Sequence, residues 1–345
     1  MKYIILSITF LFFCVSCEER YRKFVFNNSE AVKVSILQDS SEIGLPLEMI
    51  KYNDYLFISD FRGDSLLWIY DVCNNKMVKK YAPVGEGPNE FLSPIQFILI
   101  DSTFIIHNRW HFNSGKYIFN KADLTFSQIE EKISLSTDID MIFPLNNNSY
   151  VASGRFKNSR FVILNNQGKI TSTFGDYPDY NSEEVNIPNF PKFMFHQTQF
   201  TGNYKENLLA CVSSHVIEVY DLSSITPKRV FRSLLSPYKY KYSEGDEWAT
   251  AAAIKNTEKG VRRIYSTNKY IYLLYDPNIE SQEREGYNIM ENEIWIFDWT
   301  GKAVLKVFPD LNITSFCVDE LDNVIYCIVN NPEPTISKIN IKNLI

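Results

Sequence analysis

The feature that most constrains the fold is a short unit that returns along the chain. Each copy consists of an apolar strand, a polar turn and a second apolar strand, which often ends in Asp or Asn. Six copies lie in the 345 residues, at positions 56–71, 104–120, 150–168, 208–221, 271–301 and 323–341. The second strands recur at spacings mostly in the forties, which is the period of a four-stranded propeller blade.

These copies predict an all-β fold, a six-bladed β-propeller of four-stranded antiparallel blades. An inner strand precedes the pair, as at 46–52 and 94–100, and an outer strand often follows it, as at 75–83. We expect the early strand at 31–37 to close the ring by pairing with the last blade, because this removes an exposed sheet edge. A β-sandwich and a pair of smaller β domains are the competing interpretations, but neither requires six similar units.

The segment VGEGPNEFLSP, residues 84–94, is rich in turn residues and lies between an outer strand and an inner strand. We interpret it as the joint between two blades. Gly85 and Gly87 would take backbone conformations closed to other residues, Pro88 would stiffen the path, and Phe91 would fill the space between blades. A phosphate-binding loop is the alternative, but such a loop requires a helix to follow, and a strand follows here.

The same segments carry a family resemblance. PLE (46–48), SDFRG (59–63), WIYD (68–71) and GEGPNEF (85–91) resemble the six-bladed, TolB-like propeller lipoproteins. GEGPNEF is also similar to the blade linker of NHL-type repeats. The resemblance covers nearly the whole chain after residue 17. Its motifs describe architecture, so the resemblance implies a fold and supplies no catalytic residues.

The N-terminus predicts a lipoprotein. An apolar run from Tyr3 to Val15 has the length of a signal-peptide core and is too short to span a bilayer. It ends in Ser16-Cys17, which resembles a lipobox with Cys17 as the lipidated residue. Ordinary secretion is the alternative. We therefore expect a signal peptide at 1–17, a tether at 18–30 and one propeller domain at 31–345. The acidic pair after Cys17 resembles a signal for the outer surface of the outer membrane.

Charge and cysteine content limit the kinds of partner and site that we expect. With 35 Lys and Arg against 41 Asp and Glu, the net charge of −6 provides no basic surface for nucleic acid. We expect a monomeric ring whose membrane contact is the lipid. Four cysteines lie beyond the signal, and their spacing fits no zinc pattern. Cys317 and Cys327 flank an expected turn, so a disulfide and two buried thiols both remain open.

The sequence contains no recognisable catalytic motif, and we expect no cofactor and no metal site. Aligning the first three units places Arg62, Arg109 and Arg155 at the same strand end. Because equivalent positions in consecutive blades lie on one face of a propeller, these arginines are the candidate ligand-binding residues for an anionic group. The alternative is that each arginine pairs with an acid of its neighbouring blade.

Two insertions complete the pattern. Residues 238–260 mix aromatic and charged side chains with an Ala-rich stretch that we expect to be helical, and residues 275–293 are long and polar. Long loops on a rigid scaffold often carry function. The sequence favours a lipid-anchored envelope propeller that binds a protein, peptide or glycan without catalysis. The alternative is a hydrolase or lyase that acts on a carbohydrate or lactone in the central channel.

Overall fold

The structure is a computed structural model that describes residues 24–39, 42–87, 89–179, 184–245, 248–254, 256–279, 291–330 and 332–345. Six antiparallel sheets of four strands each follow one another along the chain, so the predicted six-bladed all-β propeller is confirmed. Cys17 and Pro88 lie outside the described residues. Within the described ranges, no helix is long and apolar enough to cross a membrane.

The first three blades are built from consecutive strands, ordered from the channel outward. Blade 1 contains β3 (Pro46–Tyr52), β4 (Tyr55–Asp60), β5 (Ser65–Asp71) and β6 (Lys76–Pro83). Blade 2 contains β7 (Ile95–Ile100), β8 (Thr103–Asn108), β9 (Asn113–Asn120) and β10 (Thr125–Gln128), and β11 (Ile133–Ser134) also pairs with β9. Blade 3 contains β12 (Ile139–Pro144), β13 (Tyr150–Gly154), β14 (Phe161–Leu164) and β15 (Ile170–Phe174).

The remaining blades follow the same order, with additions. Blade 4 contains β16 (Gln199–Asn203), β17 (Leu208–Ser213), β18 (Val216–Asp221) and β19 (Lys228–Leu234). Blade 5 contains β22 (Glu258–Ser266), β23 (Tyr270–Ile279), β24 (Glu293–Asp298) and β25 (Ala303–Pro309), and β1 (Ser29–Val32) joins it as a fifth, parallel strand. Blade 6 contains β26 (Ile313–Val318), β27 (Val324–Asn330), β28 (Pro334–Asn340) and β2 (Ser35–Asp39).

The ring is closed by the N-terminal strand. β2 pairs antiparallel with β28 and supplies the outermost strand of blade 6, as the sequence predicted. The hydrophobic core consists of clusters at the interfaces between neighbouring blades. One of them joins blade 6 to blade 1, where Cys317 and Ile328 pack with Leu56 and Trp68. Cys317 and Cys327 are buried on adjacent strands and are free thiols.

The segment after β6 connects two blades. Gly85 and Phe91 are joined by a backbone hydrogen bond of 3.1 Å, and Phe91 is buried in the cluster between blades 1 and 2. The expected reason for the glycines is wrong, because neither Gly85 nor Gly87 has a positive φ. Instead, the Glu90 carboxylate folds back over the turn and accepts the Gly87 N–H at 2.8 Å. A Cβ atom at Gly85 would overlap that carboxylate, so the glycine admits its close approach.

Two elements interrupt the regular pattern. The helix α1 (Asn189–His196) lies between blades 3 and 4, and the hairpin of β20 (Tyr240–Glu244) and β21 (Ala249–Ala253) lies between blades 4 and 5. The expectation of a helix in the Ala-rich stretch is therefore wrong. Those alanines form β21, because pairing with β20 and packing on α1 outweigh the helix propensity of alanine.

Candidate functional site

The two faces of the ring differ in which turns they carry. In each blade the turn between the second and third strands lies on the same face as the joint to the next blade. This face carries Arg62, Arg109 and Arg155, and also α1 and the β20–β21 hairpin. We call it the arginine-side face. The opposite face carries the turns between the first and second strands and between the third and fourth strands, and we call it the tether-side face.

The three predicted arginines do not form one site. Arg109 lines the central channel and makes an ion pair with Asp140, which lies on the inner strand of the next blade. Arg155 lies outside the channel, where its guanidinium is 3.2 Å from an Asp138 carboxylate oxygen. Arg62 is exposed, and its guanidinium makes no ion pair with a described residue. The structure therefore brings one of the three to the channel.

The channel is a cavity of about 1080 Å³ that all six inner strands line. Apolar and polar side chains are mixed on its walls. The apolar ones include Met141, Phe143, Phe193, Met194 and Phe200. The charged and polar ones include Glu48, Gln96, Arg109, Asp140, Arg263 and Ser315. A ligand that matches this channel would have an apolar part and a polar part.

Glu48 is a carboxylate of the channel that sequence reasoning missed. It lies on β3 and its Oε2 accepts the Phe97 N–H of the next inner strand at 3.0 Å. Burial raises the pKa of Glu48 to about 7, and the Phe97 N–H and the nearby Arg263 oppose this rise. Glu48 therefore titrates near neutral pH, as a general acid or base would.

Other polar side chains of the inner strands connect one blade to another, including Arg263, which reaches from blade 5 past blade 6 to blade 1. The Gln96 amide donates to the Ile142 carbonyl at 3.0 Å and accepts the Ile142 N–H at 2.9 Å. Arg263 Nε and Ser315 Oγ both donate to the Leu47 carbonyl, at 2.8 and 3.0 Å. These bonds satisfy backbone groups that face the channel without a strand partner. The polar groups thus hold the inner strands together, and fewer of them are free for chemistry.

His107 and His111 do not share a site. His107 is buried on β8, its Nδ1 is 3.2 Å from the Asn113 carbonyl, and burial lowers its pKa to about 4. His111 lies on the 3-10 turn Arg109–His111, where its Nδ1 is 3.2 Å from the Asn108 amide. Among the described residues, no group of three His, Cys, Asp or Glu side chains is arranged to hold a metal ion.

The helix α1 forms part of the channel wall and was not predicted. Phe193 and Met194 line the channel, and Phe195 stacks on Tyr240 of the hairpin with ring centroids 4.0 Å apart. The helix has eight residues and its N-cap Pro188 provides no side-chain hydrogen bond. Its sequence therefore lacks the length and the capping signal that identify a helix. The hairpin and α1 support each other on the arginine-side face.

A second group of charges is buried away from the channel, between blades 3 and 4. Arg160 is fully buried, its Nε donates to Thr198 Oγ1 at 3.0 Å, and it makes an ion pair with Glu218 of β18. Arg232 Nε also donates to Glu218, at 2.7 Å. Burial raises the pKa of Glu218, but Arg160 and Arg232 outweigh burial and lower it overall. This group connects two blades, and the side chains of Arg160 and Glu218 are fully buried.

Comparison with known proteins gives a family and a set of folds. A family model described as TolB-like 6-blade propeller-like matches residues 23–321. Among curated proteins, no match was found. A Bacteroides fragilis protein to which export is attributed has a similar structure, with a TM-score of 0.53 at 10% identity over 90% of this chain and 99% of its own.

Two further solved structures are similar at the level of the fold. A DUF4221 family member from Bacteroides vulgatus has a TM-score of 0.52 at 12% identity, over 92% of this chain and 97% of its own. The calcium-binding protein regucalcin from Agrobacterium tumefaciens has a TM-score of 0.50 at 10% identity, over 91% of this chain and 95% of its own. At these identities the likeness concerns the fold alone.

Proposed function

Because the chain belongs to the TolB-like 6-blade propeller-like family, we propose that it is a lipid-anchored propeller of the cell envelope that binds a protein, peptide or glycan without catalysis. The observation that carries this proposal is the central channel. Its volume of about 1080 Å³ has the scale of a ligand site, and apolar and polar side chains line it together. The ligand enters from the arginine-side face, where α1 contributes Phe193 and Met194 to the wall.

The Arg109–Asp140 ion pair is the group that an ionic ligand would engage first. The side chain of Arg109 is 39% exposed and that of Asp140 is 21% exposed, so water and a ligand both reach the pair. A ligand carboxylate, phosphate or sulfate can accept the remaining N–H groups of Arg109, because guanidinium groups bind such anions bidentately. Asp140 would then stay in place and keep the arginine oriented.

The chain offers a matched pair of variants to test this site. Replacing Arg109 by Gln together with Asp140 by Asn neutralises the ion pair in the channel. Replacing Arg155 by Gln together with Asp138 by Asn makes the same change outside it. Envelope glycans and peptides would be screened against the protein, and the affinity of any ligand found would be measured for both variants. We expect the Arg109 variant to lose about tenfold or more in affinity, since a charge-assisted bond contributes roughly 1.5–3 kcal/mol.

The Arg155 variant should bind as the parent protein does. Equal binding by both variants would contradict a ligand site at Arg109.

The anchor is tested separately with Cys17→Ala. The parent protein should carry a lipid on Cys17 and fractionate with membranes, and the variant should be released. A parent protein without lipid, or a variant that fractionates identically, would contradict the anchor.

A single observation favours the second candidate function, a hydrolase or lyase in the channel. Burial raises the pKa of Glu48 to about 7, and that of the channel carboxylate Asp140 is also raised by burial, against the effect of Arg109. Carbohydrate-cleaving sites typically use two carboxyl groups, one of which is a general acid with a raised pKa. Turnover of a carbohydrate or lactone that Glu48→Gln abolishes, with the fold intact, would establish this function in place of the binding proposal.

A further inference from the structure

The chain ahead of the first strand is fixed on the outside of the ring. Phe24 packs against Phe297 and Phe231, with ring centroids 4.7 and 5.7 Å apart. Phe26 packs against Trp295 and Phe297, at 5.4 Å from each. The two phenylalanines thus fill the outer groove between blades 4 and 5, because Phe231 belongs to blade 4 and the other two rings belong to blade 5.

The direction of this segment shows from which face it comes. The Asn28 carbonyl accepts the Lys306 N–H at 3.1 Å, and β1 then runs parallel to β25. β25 starts at the turn between the third and fourth strands of blade 5, which belongs to the tether-side face. Phe24 and Val25 lie beside that same turn, next to Thr300 and Gly301. The chain therefore reaches the ring at the rim of the tether-side face.

Exposed aromatic rings are unequally divided between the two faces. The arginine-side face exposes the rings of Phe61, Trp110, Phe112 and Trp248, together with the aliphatic Leu45, Val84 and Val185. The large apolar groups exposed on the tether-side face are aliphatic, namely Val25, Ile170, Ile225 and Leu321. Trp and Arg are enriched where proteins bind partners. Apolar side chains that reach a bilayer interface strengthen binding in proportion to the apolar area that they bury.

We propose that the anchored protein turns its tether-side face toward the membrane and presents the arginine-side face, with the channel mouth, away from it. This inference rests on the proposed lipid at Cys17. The seven steps from Cys17 to Phe24 span at most roughly 25 Å even when fully extended. A seven-residue strand spans about 23 Å, so the arginine-side face lies about one blade height farther from the anchor. The arginine-side face then meets partners away from the membrane, and the tether-side face meets the lipid surface.

The orientation is measured by energy transfer from a single label to a lipid-borne acceptor. The exposed Cys73 is replaced by Ser, and Cys211, Cys317 and Cys327 are buried, so we expect them to escape labelling in the native state. A donor is then attached at Ile225→Cys, in a turn of the tether-side face, or at Trp110→Cys, in a turn of the arginine-side face. Both parent side chains are exposed, at 97% and 50%. The full-length lipidated protein is reconstituted in vesicles whose outer leaflet carries the acceptor.

We expect transfer from position 225 to be several-fold stronger than from position 110. Equal transfer from both positions, or stronger transfer from position 110, would overturn the inference while the anchor stands. Cys17→Ala serves as the matched control and sets the background for unattached protein. If the parent protein itself stays at that background, the proposed anchor fails, and the orientation that rests on it fails for that separate reason.

Discussion

Glu48 shows how one residue can carry both a structural and a chemical role. Its carboxylate accepts the Phe97 N–H and so helps join blades 1 and 2, yet burial raises its pKa to about 7. The ordinary pKa of this group is 4.5, so between about pH 4.5 and pH 7 the folded chain holds a proton that the unfolded chain has released. By linkage, this residue makes the free energy of unfolding fall as the pH rises through that window.

Glu48→Gln should remove this dependence. In the parent protein, Glu48 makes the free energy of unfolding lower at pH 8 than at pH 5 by at most about 3 kcal/mol. The variant should lack this decrease. The buried His107 acts in the opposite direction in both proteins, because burial lowers its pKa, so only the difference between variant and parent is informative. Urea denaturation at both pH values measures the effect, with the exposed Glu30→Gln as control. An unchanged dependence in Glu48→Gln would contradict the raised pKa.

A comparison of Arg160 with Arg155 tests how burial changes the contribution of an ion pair to the free energy of unfolding. Arg160 is fully buried against Glu218, whereas the Arg155 side chain is 51% exposed beside Asp138. Arg160→Met leaves a buried carboxylate with less compensation and should cost about 3–5 kcal/mol of unfolding free energy. Arg155→Met should cost less than about 1 kcal/mol. Urea denaturation measures both. Similar losses in the two variants would mean that the buried pair is not what joins blades 3 and 4.

At the scale of elements, the strands were predictable and the insertions were not. β4 and β5 are bounded by polar turns and are buried on both faces by neighbouring blades, so the chain shows them as continuous apolar runs. α1 is too short to show a helical period, and its position is determined by packing on the hairpin. The alanines of β21 favour a helix locally and form a strand only because β20 lies beside them. The local sequence pattern does not predict secondary structure where tertiary contacts determine it.

The outermost strand of blade 6 provides a prediction at this scale. Removing residues 1–33 should leave a folded monomer of lower stability, since β2 still covers β28, while the fifth strand of blade 5 and the packing of Phe24 and Phe26 are lost. Removing residues 1–42 should expose the edge of β28, and an uncovered edge is a template for pairing with another chain. We expect that shorter chain to lose several degrees of melting temperature and to self-associate. Size-exclusion chromatography and thermal melts distinguish the two. If the 43–345 chain stays monomeric and is as stable as the 34–345 chain, β2 does not protect the edge of β28.

At the scale of the molecule, the ring followed from counting repeats, but the contents of the channel did not. The channel is lined by side chains from six inner strands that are far apart in the sequence. The surroundings of each side chain depend on the residues that face it across the ring. Glu48 and Arg263 are 215 residues apart in the chain and share the channel only after the ring closes. The arginine pattern identified a face correctly by symmetry. It did not show that Asp138 and Asp140 would direct Arg155 and Arg109 to different surroundings.

Closure of the ring leads to a prediction about cooperativity. The hydrophobic clusters lie between blades, and one of them joins blade 6 back to blade 1, so no blade can unfold without exposing the core of its neighbours. Cys211 of blade 4 and the pair Cys317 and Cys327 of blade 6 are buried reporters at distant places in the ring. In a chain that begins at Glu18 and carries Cys73→Ser, these three thiols should resist alkylation in native buffer. As urea rises, they should become reactive over one common transition that coincides with the loss of β structure. If Cys317 and Cys327 react at lower urea than Cys211, blade 6 opens at the β2 closure before the rest of the ring. That result would replace the single cooperative unit with a separately unfolding blade.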